Sequence, residues 1–85
     1  MQRGDLVRLS PLWEDVRLYS EPPDFQTFGT LEGENIFFDM NDIAIILESK
    51  EILEVRDSFT SEMWYKILCS AGTGWISGMD IKLVE

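Results

Sequence analysis

The chain contains no histidine and one cysteine, Cys69. Without imidazole it lacks the usual general base, the Ser-His and Cys-His nucleophile systems and the commonest transition-metal ligand. A single cysteine closes no internal disulfide, which favours a reducing compartment. Long apolar runs are also missing. The longest, Ile43-Ala44-Ile45-Ile46-Leu47, falls far short of the roughly 20 residues that cross a bilayer. Residues Met1 to Asp5 carry no apolar stretch of the kind found in secretory signals, so a cytoplasmic protein is expected. Positive charge is scarce: Arg3, Arg8, Arg17, Lys50, Arg56, Lys66 and Lys82 are spread singly among sixteen acidic residues, for a net charge of −9. Phosphate backbones are repelled by such a surface, so nucleic acid is not the expected partner.

What is present supports one small folded unit spanning residues 1–85. A composition 45% hydrophobic and 12% aromatic is that of a globular chain, not a disordered one. The clearest pattern lies near the C-terminus, where Met63, Tyr65, Ile67 and Cys69 alternate with Trp64, Lys66, Leu68 and Ser70. This period of two is that of a strand with one buried face. Ala71-Gly72-Thr73-Gly74 then predicts a tight turn into Trp75-Ile76-Ser77, and Ser77-Gly78-Met79-Asp80 breaks the run before a last strand up to Val84.

A first strand is predicted over residues 4–9. It ends at Ser10-Pro11, where Ser10 can cap a single helical turn with Glu14 and Asp15 at its positive end. Val16 to Tyr19 alternates again as a short strand, stopped by Pro22-Pro23. Phe25 to Leu31 reads as an extended segment with Phe25 and Phe28 turned inward, and turns at 32–35 and 39–42 flank Ile36-Phe37-Phe38. Residues 10–41 are therefore read as a long, acidic, aromatic-rich loop or arm lying against the rest; a linker would not carry Trp13, Tyr19, Phe37 and Phe38. Residues 42–55 predict a central strand covered on both faces, with a bulge or bend at Ser49-Lys50-Glu51. With strands at 62–70, 73–77 and 80–84 as well, the expected fold is all-β: a small barrel of about five strands with an enlarged first loop.

Trp64-Tyr65-Lys66-Ile67, a short hairpin, Gly74-Trp75-Ile76 and a closing Ile81-Lys82-Leu83-Val84 resemble the second half of an SH3-like barrel of the bacterial SH3 type. Gly4-Asp5-Leu6-Val7-Arg8-Leu9 is similar to the opening strand of small SH3-like proteins of tailed marine phages. The resemblance implies a module that binds other proteins, set in a host cytoplasm or a virion. Of the residues that line the peptide groove in that family, Trp64 has a direct counterpart here and Tyr19 a loose one. Gly78-Met79 and Ile81 replace the proline and tyrosine of the groove, so proline-rich peptides are not implied.

The candidate partner-binding residues are Trp64, Tyr19, Glu32, Glu34, Asp39 and Asp42. If Tyr65, Ile67 and Cys69 face inward, Trp64 faces outward, either as an exposed indole that anchors a partner or as one covered by the 10–41 arm. Trp75 is assigned to the core, and Cys69 reads as a small buried hydrophobe. The four acidic residues either sit in solvated turns or converge on a cation, although their spacing matches no known cation loop. No cofactor, metal or small-molecule substrate is implied, and no enzyme. The expected function is a non-catalytic protein-interaction or assembly module, with a protein partner or a second copy as its target. The alternative is an acidic decoy for a basic protein surface, and a carboxylate-based hydrolase is a third reading.

Overall fold

Ala44–Glu54 (β4) runs through the middle of a five-stranded antiparallel sheet and organises the molecule. The computed structural model describes residues 1–20, 36–54 and 60–84. The predicted Pro22-Pro23 stop, the inward Phe25 and Phe28, the turn with Glu32 and Glu34 and the end of the strand at Val55 lie outside these residues. On one side β4 pairs with Leu6–Leu9 (β1), and on the other with Thr60–Cys69 (β5). Gly72–Ser77 (β6) pairs with β5, and Ile81–Leu83 (β7) pairs with β1, giving the order β6-β5-β4-β1-β7. Asp15–Arg17 (β2) and Phe37–Asp39 (β3) form a second, two-stranded sheet inside the enlarged first connection. The described residues are thus all-β apart from one 3₁₀ turn, with five strands in the main sheet and two more in the long first connection.

β4 does contain a bulge, but at Leu47, where the register shifts between Ile46 and Glu48, and not at residues 49–51. The cause is the side-chain period. Ile46 pairs with Ile67 on the buried face, so strict alternation would also turn Glu48 inward. The extra residue resets the phase and places Glu48 opposite Lys66 on the outer face. β4 is central as predicted, but its outer face is not covered: Ile43, just before it, is 51% exposed and Ile45 is only half-buried.

The hairpin turn is Ser70-Ala71, and Gly72 already pairs with Cys69. Gly72 has φ +141°, a region that strongly favours glycine. Gly74 lies within β6, where a side chain would collide with the first loop: a Cβ there would stand 2.5 Å from Leu18 Cβ. The helical turn predicted after Ser10 is a plain turn closed by Trp13 N donating to Ser10 O at 3.0 Å. Too little chain lies between β1 and β2 for a helix to form.

Val7, Phe38, Ile46, Ile67 and Ile76 are sealed in the core with Tyr65 and Cys69 on the same inward face of β5. Leu18 and Phe38 come from the arm, so residues 10–41 supply part of the core as well as cover. Among the described residues no helix is long and apolar enough to cross a membrane.

Candidate functional site

Trp64 has the outward phase that alternation predicts, pairing across the sheet with Lys50 and Ser77, but its indole is not exposed. It is 8% accessible, as buried as its inward neighbour Tyr65 at 6%. This corrects the reading of an open anchor. The cover comes from the arm: Tyr19 N donates to Trp75 O at 2.9 Å and Trp75 N donates to Tyr19 O at 2.7 Å, stitching the arm to the free edge of β6. So placed, the Tyr19 ring meets the Trp64 indole edge-on, with centroids 5.3 Å apart and planes at 62°. Trp75 is buried too, as expected. It lies on the outer side opposite Lys66, however, and outside the cluster built around Ile46 and Ile67.

The aromatic pair floors an open recess of roughly 320 Å³ whose walls come from β2, the start of β5 and the end of β6. Val16, Arg17 and Ile76 line it along with Glu62, Ser77, Met79 and Asp80. The last two belong to a 3₁₀ turn, Gly78–Asp80, that links β6 to β7. Ser77 caps this turn, its Oγ accepting from Met79 N at 3.2 Å while donating to Glu62 Oε1. One hydroxyl thereby fixes both the turn and the Glu62 carboxylate.

Asp80 is the strained charge of the site. Partial burial pushes its carboxyl above the ordinary 3.8, and the neighbouring charge of Glu62 adds to the rise, against a hydrogen bond from Trp13 that lowers it. The recess therefore holds two carboxylates and one guanidinium, that of Arg17, around an aromatic floor. Its chemistry suits an apolar side chain that ends in positive charge.

Of the residues singled out in the sequence, Tyr19 and Trp64 come together here. Asp39 and Asp42 do not. Asp39 Oδ1 accepts from Asn41 N at 2.7 Å in the turn that leads into β4. Asp42 Oδ2 accepts from Ser70 Oγ at 2.6 Å and Ser70 N at 2.9 Å, and Oδ1 accepts from Ile43 N at 2.9 Å. These bonds, those from Ser70 foremost, hold its carboxyl below the ordinary 3.8 and clamp the β5–β6 turn to the entry of β4. Glu32 and Glu34 lie outside the described residues, and among those described no group of three acidic, cysteine or histidine side chains is placed to hold a metal.

Sequence reasoning missed Glu62, Ser77 and Asp80. The only signal was Ser77-Gly78-Met79-Asp80, which reads as an interruption of β-pattern and says nothing of what the interruption carries. Comparisons of the chain with protein-family models, with curated proteins and with solved structures find no match.

Proposed function

We propose that this protein is a non-catalytic protein-interaction module of the SH3-like type, and that the recess over Trp64 takes a basic, partly apolar segment of a partner protein. The observation that carries this is the placing of Glu62 and Asp80 beside the Tyr19–Trp64 pair. A cationic side chain there would meet the Glu62 and Asp80 carboxylates, set against the one guanidinium of Arg17. It would also offset the charge of Glu62, the lesser of the two causes, after burial, that raise the Asp80 carboxyl. A non-catalytic role is supported by the engagement of Glu62 with Ser77, which commits one of the two acids to structure. The virion or host-cytoplasm setting that the resemblance of the opening strand implies belongs to the same proposal.

The test is calorimetric titration with a Lys/Arg-rich peptide and with the same peptide carrying Glu in place of its cations. The basic peptide is expected to bind, and Glu62→Gln with Asp80→Asn is expected to weaken it about tenfold, as loss of about 1.4 kcal/mol would. Asp42→Asn, remote in role, is expected to leave binding unchanged. Equal binding of both peptides would refute the reading.

A second reading, an acidic decoy for a basic surface, is favoured by the net charge of −9 and by Asp15 lying directly opposite Asp39 in the β2–β3 ladder. It predicts affinity that collapses with salt and is indifferent to which carboxylate is removed.

A further inference from the structure

The outer face of the main sheet carries an apolar row that the fold leaves open. Leu6 on β1 pairs with Ile45 on β4, and Ile45 pairs with Leu68 on β5, so the three side chains share one face. Leu6 and Leu68 are 49% and 46% exposed, and Ile43, two residues before Ile45, adds to the row. On the same face Arg8 lies directly opposite Lys82. Like charges opposed in a ladder cost stability, and this pair concentrates positive charge in a chain of −9.

The complementary surface stands at the other end of β1. The turn Ser10 to Trp13 packs against the 3₁₀ turn, Ser10 N donating to Asp80 O at 2.9 Å. Leu12 in this turn is 84% exposed and Trp13 47%, and Met79 on the 3₁₀ turn is 79% exposed, so the two joined turns present three open apolar side chains. Glu14 and Asp15 follow immediately and are exposed. One surface is thus apolar with a cationic flank, and the other is an apolar knob with an anionic flank. β1 holds them about 13 Å apart along one strand, so a copy cannot bring its own knob to its own row.

We infer that the occupant of the Leu6–Ile45–Leu68 row is the Leu12/Met79 knob of a second copy of this chain. Such a contact joins unlike patches, so each docking leaves one row and one knob free, and growth continues until a ring closes or a filament forms. Net repulsion between copies is screened beyond about 8 Å at physiological salt, while the docked patches lie within that range. Met79 also lines the recess, so the two readings are separated by the broken-row variant, whose Arg8 and Leu68 lie outside it.

Sedimentation velocity on the full chain over a concentration series tests it. Two double variants at exposed positions are compared, one with a broken row (Arg8→Glu, Leu68→Glu) and one with a broken knob (Leu12→Ser, Met79→Lys), their folding checked by circular dichroism. The wild type is expected to grow with concentration, a closed two-membered ring included, and each variant alone to remain monomeric. An equal mixture of the two is expected to form a 1:1 dimer, because one intact row then meets one intact knob. A wild type monomeric at its highest soluble concentration, a folded variant that assembles like the wild type, or a mixture that stays monomeric would each overturn the inference.

Discussion

Replacing Gly74 by alanine probes the joint on which the recess depends. An added Cβ would stand 2.5 Å from Leu18 Cβ and 3.1 Å from Tyr19 O, so the arm has to retreat from β6. Retreat breaks the two backbone hydrogen bonds between Tyr19 and Trp75, a loss of about 1–3 kcal/mol at about 0.5–1.5 each. It also separates the Tyr19 and Trp64 rings, a further loss of about 0.5–1.5 kcal/mol. Against this, alanine restricts the unfolded chain and returns about 0.4–1 kcal/mol. The net expectation is a destabilisation of about 2–3 kcal/mol, a large share of the roughly 4–13 kcal/mol available to 85 residues. Urea unfolding followed by far-ultraviolet circular dichroism reads this as a midpoint lowered by about 1–2 M. Tryptophan emission of the folded variant is expected to shift to the red as Trp64 meets water. A variant as stable as the wild type with unshifted emission would refute the claim that this close approach seals Trp64.

Asp80→Asn is expected to stabilise the protein at neutral pH by about 0.5 kcal/mol after solvent screening. Its folded carboxyl is raised, so the stability it contributes is complete below the unfolded value of 3.8 and is lost as pH rises through the folded value. The advantage of the variant should therefore vanish in acid, and melting temperatures across pH check this. Asp42→Asn has the opposite sign. A carboxyl held below 3.8 contributes above that value and loses its contribution as pH falls through the folded one, so the variant should be weaker by about 0.5 kcal/mol or less at neutral pH after solvent screening and equal to the wild type in strong acid. Deleting Leu47 removes the bulge but leaves Glu48 directly after Ile46 and still opposite Lys66, so thermal unfolding should stay cooperative; its loss would show that the bulge itself, and not the phase of Glu48, is what the sheet needs. Lys66→Ala should change stability by less than about 1 kcal/mol, since its 3.9 Å pair with Glu48 lies in solvent.

The β5–β6 hairpin was readable because a period of two and closely spaced glycines are local signals. Tyr65, Ile67 and Cys69 face inward and Trp64 outward as that period requires. Exposure is another matter, because it depends on what the chain lays over a face. Nothing local to Trp64 says that Tyr19, 45 positions earlier, bonds to the edge of β6 and covers it. The bulge expected at Ser49-Lys50-Glu51 falls too late for a related reason: those residues are polar enough to suggest a break, whereas the real constraint is to keep Glu48 out of the core. Glu62 and Asp80 became neighbours only through the 3₁₀ turn capped by Ser77, a tertiary event with no pattern of its own. Asp39 and Asp42 looked like a site because they are clustered acids, and the structure uses both to satisfy backbone amides.

The reading of the recess is tested most directly by residue-resolved NMR. A labelled sample is titrated with a basic peptide while the indole N–H of Trp64 and the amides of Glu62, Met79 and Asp80 are followed. Saturable shifts that centre on these four, and that need about tenfold more peptide in the Glu62→Gln, Asp80→Asn variant, are the predicted result. Shifts that spread evenly over the acidic surface, or that centre on Asp39 and Asp42 while Trp64 stays still, would contradict it.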